Sequence, residues 1–109
     1  MTTADPIRLL LIGTPGSEFR VAAGMARDAG ADVAMADTIA DALALLRSTP
    51  AGLVMVDVEL DVADLMTRLR AERFAVPVLA CGVDAPATRA VAAIRAGARD
   101  YVPCRRSAS

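Results

Sequence analysis

Asp57 is the residue whose position in this sequence most suggests chemistry. It ends the apolar run Leu53–Val56, where a carboxylate is neither a periodic core residue nor a helix cap. Ligands and reactive groups gather at the carboxyl ends of strands in open parallel sheets, so a carboxylate at the end of this run is a candidate site residue. Glu59 and Asp61 follow two and four residues later, and their carboxylates could assist Asp57 although neither stands at the end of the run. The structural alternative is that Asp57 only caps the loop after its strand.

The composition narrows the chemistry that could accompany Asp57. All twelve basic residues of the 109 are arginines, and histidine is absent. A histidine base, a histidine metal ligand, a phosphate-loop lysine and a Schiff-base lysine are therefore excluded from this chain. Cys81 and Cys104 are too few for a disulfide framework or a zinc site, and we predict that both are reduced packing residues. We expect no enzyme activity and no metal site.

A glycine-containing loop, Gly13-Thr14-Pro15-Gly16-Ser17, follows the first apolar run. A loop that leads into a helix N-terminus can hold an anion, which would suit a small flavodoxin-like enzyme or nucleotide binder. The loop lacks the spacing and the lysine of a phosphate loop. We therefore favour a tight turn in which Ser17 is the N-cap of the next helix.

Apolar runs alternate with helical patterns along the whole chain. The predicted strands are Ile7–Ile12, Asp32–Ala36, Leu53–Val56, Val76–Cys81 and Asp100–Val102. The predicted helices are Ser17–Ala29, Thr38–Arg47, Asp61–Arg73 and Pro86–Ala96, with Asp37 capping the second and with Gly30 and Gly97 as stops. Strands that are apolar on both sides and separated by helices form a parallel sheet covered on both faces. The pattern predicts an α/β, doubly wound domain.

The length fits one domain, 1–109, but the pattern contains five strands and only four helices. A final helix to cover the last strand is missing, so we expect an N-terminal fragment of a longer regulator or a partner that covers that face. Twelve basic and thirteen acidic groups nearly balance, and the basic residues are scattered apart from Arg105-Arg106. We predict no direct nucleic-acid binding, no membrane segment and a cytoplasmic location.

The order of these elements, Asp57 at the end of the third strand and the segment 96–103 (AGARDYVP) together resemble a response-regulator receiver domain. The resemblance covers Ile7 to Pro103. It implies a flavodoxin-like sheet with strand order 2-1-3-4-5. In that family the aspartate accepts a phosphoryl group with magnesium, and an aromatic residue on the fifth strand reorients. Asp57 and Tyr101 occupy the matching positions.

The rest of the receiver site does not match. Gly13 and Thr14 stand where receivers carry an acidic pair, Cys104 stands in place of the lysine, and Cys81 or Gly82 replaces a hydroxyl residue. Phosphoryl transfer depends on a divalent ion and a cation that neutralise the phosphoryl oxygens. The departures predict an atypical receiver that signals without ordinary phosphorylation, with at most weak Mg²⁺ binding at Asp57. The alternative is a two-component phosphoacceptor that uses Asp57.

Segments 55–57 and 76–84 are similar to the receivers of the FlbD family of flagellar, sigma-54-dependent transcriptional activators. This resemblance implies an ATPase domain and a DNA-binding domain outside the given residues, and control by a FliX-like partner protein. A homodimer is also compatible with it. The candidates for partner binding are Arg89, Arg95, Arg99 and Tyr101. The alternative face is the first helix, with Phe19, Val21 and Met25.

Overall fold

The computed structural model of the chain describes residues 7–13, 17–82 and 86–103, without the side chains of 17–22. The strands are β1 Arg8–Ile12, β2 Asp32–Ala36, β3 Leu53–Asp57, β4 Val78–Gly82 and β5 Asp100–Pro103. The helices are α1 Ser17–Asp28, α2 Ile39–Ser48, α3 Val62–Ala71 and α4 Ala87–Ala96. The predicted alternation of strands and helices is confirmed.

The strands form one sheet in the order β2-β1-β3-β4-β5, and every neighbouring pair is parallel. The strands succeed one another in opposite directions across the sheet on the two sides of β1. From β1 the chain adds β2 on one side, and it then adds β3, β4 and β5 on the other side. This is the flavodoxin-like order expected from the receiver resemblance. Such a reversal creates a crevice at the carboxyl ends of the strands, close to β1 and β3.

The sheet buries apolar side chains on both faces, since alternate strand residues point to opposite sides. The larger cluster joins Leu10, Val54 and Val56 of the sheet to α2, α3 and α4. The smaller cluster joins Leu9 and Leu11 to Ala23 of α1. Parallel strands that are covered on both faces have nearly continuous apolar sequences. The strands could therefore be predicted from the apolar runs.

Several element boundaries differ from the sequence prediction by one or two residues, and one cap was assigned to the wrong side chain. Thr38, not Asp37, is the N-cap of α2, and its hydroxyl accepts a hydrogen bond from the Asp41 amide at 3.1 Å. Both residue types are good caps, so composition alone could not choose between them. Asp61 is the N-cap of α3, which therefore begins at Val62.

The C-terminus of α4 is closed by contacts with α3. Gly97 ends the helix with a φ of 122°, a left-handed conformation that favours glycine. Arg70 donates from Nη2 to the carbonyl oxygen of Ala96 at 3.1 Å. The guanidinium thus satisfies one of the carbonyl groups that a helix end leaves without an intrahelical partner.

A second arginine joins α2 to the end of α3. Arg47 donates from Nε and Nη2 to the two carboxylate oxygens of Glu72 at 2.6 and 2.8 Å. This forked hydrogen bonding lowers the pKa of Glu72 and raises the pKa of Arg47 above its usual value. The pair is largely exposed, so it fixes the relative position of two helices more than it adds stability.

Some sequence predictions lie outside the described residues. These are the cap role of the Ser17 side chain, the side chains of Phe19 and Val21, and the residues Thr14, Cys104, Arg105 and Arg106. In the described part of the chain the helices have ten to twelve residues, and none of them is long and apolar enough to span a membrane.

Candidate functional site

The carboxyl ends of the central strands bring several of the predicted site residues together. Asp57 ends β3 and pairs in register with Cys81 of β4. Ile12 of β1 pairs with Val56, so Gly13 follows β1 on the side next to Asp57. Gly82 of β4 pairs in register with Pro103 at the end of β5. The sequence-predicted position of Asp57 at this edge is confirmed.

Asp57 is half-buried, and its carboxylate is engaged with its own loop. The Glu59 amide donates to Asp57 Oδ1 at 2.9 Å, and the Leu60 amide donates to the Asp57 carbonyl oxygen at 3.0 Å. An aspartate that accepts from a backbone amide two residues ahead stabilises a tight turn. The carboxylate therefore holds the β3–α3 loop in shape, as the structural alternative expected, while it stays partly accessible.

The loop after Asp57 is also held by the neighbouring strand and by α4. The Val58 amide donates to the Cys81 carbonyl oxygen at 2.8 Å, which extends the β3–β4 pairing. Arg89 of α4 donates from Nη1 to the Val58 carbonyl oxygen at 3.1 Å, and the same nitrogen lies 3.9 Å from Glu59 Oε2. Sequence reasoning assigned Arg89 to partner binding and missed this contact, because no local signal links residues 31 positions apart.

Cys81 and Gly82 are both buried at the end of β4. The Cys81 thiol donates to the Val56 carbonyl oxygen at 3.5 Å, and its side chain has no exposed surface. A buried thiol in such surroundings behaves as a small apolar residue. The register places Cys81 directly beside Asp57, and Gly82 follows it at the end of β4. Which of the two corresponds to the hydroxyl residue of receivers stays a prediction.

The acidic residues near Asp57 do not form the oxygen cage that Mg²⁺ prefers. Asp61 Oδ1 accepts from the Asp64 amide at 3.0 Å as the cap of α3, and Glu59 lies beside Arg89. Gly13 brings no side-chain oxygen, and its amide donates to the Ala36 carbonyl oxygen at 2.9 Å. Within the described ranges, no group of three or more His, Cys, Asp or Glu residues could hold a metal ion. Among the described residues at this sheet edge, the oxygen donors therefore do not fit a strong magnesium site.

The residues predicted for partner binding lie on α4, on β5 and, in the case of Arg99, on the connection between them. Arg95 is in the last turn of α4, and Arg95 and Arg99 are both exposed. Tyr101 pairs in register with Ala80, is half-buried, and packs against the larger core cluster. Met25, on the alternative face, is 68% exposed on α1. The structure thus gives α4 an exposed basic surface and keeps part of the Tyr101 ring inside.

Comparison with known proteins gives one related protein of high similarity. The chain is 46% identical over 98 residues, 89% of its length, to the transcriptional regulatory protein FlbD of Caulobacter vibrioides. The match covers 22% of FlbD, so the chain spans about a fifth of that protein's length. No family model matches the chain.

Solved structures share the same fold over most of the chain. The receiver domain of NtrX from Brucella abortus is 25% identical with a TM-score of 0.77, and the match covers 87% of this chain and 83% of that one. NtrX from the same organism in complex with ADP has a TM-score of 0.81 at 26% identity, over 90% of this chain and 22% of that one. A response regulator from Chloroflexus aurantiacus J-10-fl is 23% identical with a TM-score of 0.79, and the match covers 90% of this chain and 84% of that one. The sheet order, the position of Asp57 and these similarities together show that the chain has the fold of response-regulator receiver domains and that its sequence is similar to FlbD.

Proposed function

We propose that this receiver domain regulates a flagellar, sigma-54-dependent transcriptional activator through protein contacts, without ordinary phosphorylation of Asp57. In this proposal the domain is not an enzyme, and it acts in the cytoplasm on an attached ATPase domain, together with a FliX-like partner protein. The domain itself contacts neither nucleic acid nor membrane, and homodimerisation is compatible with the proposal. The similarity to FlbD over 89% of the chain supports the regulatory role.

The observation that carries the proposal is the position of Gly13. It follows β1 beside the strand that ends in Asp57, at the edge where receivers place their acidic pair. A residue without a side chain supplies no ligand to a cation, and the chain contains no lysine to neutralise phosphoryl oxygens. Because phosphoryl transfer relies on such neutralisation, at most weak Mg²⁺ binding at Asp57 is expected.

The alternative is a phosphoacceptor switch of a two-component system. One observation favours it: Asp57 stands at the end of β3, at the sheet edge where receivers accept the phosphoryl group, and it is not fully buried. In that case beryllofluoride with magnesium would change the NMR signals of Asp57 and Tyr101. The nucleotide-binding hypothesis depends on residues 14–16, which lie outside the described part of the chain.

The exposed arginines of α4 and of the connection from α4 to β5 favour a partner with an acidic surface. Helix α4 contains Arg89 and Arg95 and no acidic residue, and Arg99 follows it. Arg89 is engaged with the Val58 carbonyl group, whereas Arg95 and Arg99 extend into solvent. We therefore place the partner contact on the α4–β5 surface, centred on Arg95 and Arg99.

Reversing the charge at this surface should weaken partner binding without unfolding the domain. We expect Arg95→Glu and Arg99→Glu each to raise the Kd for a FliX-like partner about tenfold, which corresponds to about 1.4 kcal/mol, because each change replaces an attraction to an acidic surface with a repulsion that water partly screens. Isothermal titration calorimetry would measure the affinity, and circular dichroism would check the fold.

Arg27→Glu is the matched control, because Arg27 is also an exposed arginine in the last turn of its helix, α1. Its Kd should stay within about twofold of the original. A large loss of affinity for Arg27→Glu together with unchanged binding by Arg95→Glu and Arg99→Glu would place the partner on the α1 face instead.

A further inference from the structure

One peptide group in the β3–α3 loop contacts both α4 and Asp57. The carbonyl group of Val58 and the amide of Glu59 belong to the same peptide unit. The carbonyl oxygen accepts from Arg89 Nη1 at 3.1 Å, and the amide donates to Asp57 Oδ1 at 2.9 Å. A cation on α4 is thus connected to the carboxylate of the site through a single planar unit.

This arrangement has physical consequences beyond holding the loop. Hydrogen bonds in series polarise one another, and bonds to charged groups are stronger than neutral ones. Arg89 withdraws electron density from the carbonyl oxygen, which makes the amide of the same peptide a better donor to the carboxylate. Rotation of the peptide would break both bonds at once, so the two contacts support each other.

We infer that Arg89 is a positioning residue that orients the Val58–Glu59 peptide and thereby holds the Asp57 carboxylate, coupling the surface of α4 to the site. A ligand of α4 that draws Arg89 away would loosen Asp57. By thermodynamic reciprocity, a group that occupies the Asp57 carboxylate would release Arg89. The coupling would be present in the isolated domain, so an experiment on the domain alone tests it independently of the proposed regulation by contact.

The surroundings of Arg89 permit such a movement. Its side chain is 47% exposed, and a cavity of about 210 Å³ lies beside it, bordered by Val58, Asp61 and Ala92. The guanidinium can therefore leave the carbonyl oxygen without a change in the path of the backbone. The ion pair with Glu59 is a weaker candidate for the coupling, because its 3.9 Å separation exceeds hydrogen-bond length and both groups are largely exposed.

The test is hydrogen exchange of the Glu59 amide, followed by NMR on the whole chain. Arg89→Ala should speed this exchange about tenfold, since a hydrogen bond to a charged group that loses its support loses most of its protection. Arg89→Lys, which keeps a cation on a flexible stem, should restore part of the protection. Arg95→Ala on the same helix is the matched control and should change the rate less than about twofold. The Val56 amide in the sheet reports any global loss of stability.

A double-mutant cycle separates coupling from a merely structural role. In an Asp57→Ala background the Glu59 amide has lost its acceptor, so Arg89→Ala should add less than about twofold to its exchange rate. Independent, multiplying effects of the two substitutions would overturn the inference. So would exchange in Glu59→Gln as fast as in Arg89→Ala, because the coupling would then depend on the ion pair instead of the peptide.

Discussion

Replacing Leu65 with alanine is expected to lower the free energy of unfolding by about 2–5 kcal/mol. Leu65 has no exposed surface and packs in the cluster that joins α2, α3 and α4 to the sheet. The substitution removes buried methyl groups and leaves a cavity that the surrounding helices can only partly fill. The total free energy of unfolding of a domain of this size is about 5–15 kcal/mol, so the substitution would remove a large share of the stability.

Leu45→Ala provides the matched comparison, because Leu45 is also a helical leucine but is 37% exposed. We expect a loss of about 1 kcal/mol for this variant. Urea unfolding followed by circular dichroism would measure both. Equal losses for Leu65→Ala and Leu45→Ala would contradict the placement of the core on the inner face of α3.

Gly97→Ala is expected to destabilise the domain by about 1–3 kcal/mol. The backbone of Gly97 has a φ of 122°, which an alanine adopts only with strain. An added Cβ would also lie 2.9 Å from Arg70 Nη2 and 3.2 Å from Met66 Cε. Arg70 could move aside, but its hydrogen bond to the Ala96 carbonyl oxygen would then be lost.

Gly24→Ala should have the opposite sign. Gly24 is inside α1, and a Cβ built there meets no atom within 4 Å in the described part of the chain. Alanine is the better helix former, so a gain of about 0.5–1 kcal/mol is expected. Thermal or urea unfolding would compare the two variants. If both substitutions, or neither, destabilise the domain, the positive φ of Gly97 does not explain the effect of Gly97→Ala.

Much of this fold could be predicted from the sequence because each strand is a compact apolar run. The run Leu53–Val56 and the helical spacing of Val62, Leu65 and Leu69 both mark core positions, and the structure buries Val54, Val56 and those three helix residues. The boundaries were less accurate, since Thr38 and Asp37 are equally suitable caps and only the fold decides between them.

The site was only partly predictable. The departures at Gly13 and at Cys81 or Gly82 depend on the resemblance to receivers, and they stay predictions. The contacts of Arg89 with Val58 and of Arg70 with Ala96 connect residues far apart in the chain, and they depend on how α4 lies against α3 and the β3–α3 loop. No local pattern records such a packing, and the reorienting role of Tyr101 stays a prediction.

Regulation by contact is most directly tested by attempting to phosphorylate Asp57. The chain would be incubated with acetyl phosphate and Mg²⁺, and intact-mass spectrometry would follow any added phosphoryl group, with Asp57→Asn as the control. Without an acidic pair after β1 and without a lysine, the reaction lacks the charges that neutralise the phosphoryl oxygens. The account predicts no phosphorylated species above the level of Asp57→Asn. A stable, magnesium-dependent phosphoryl adduct that Asp57→Asn abolishes would contradict it.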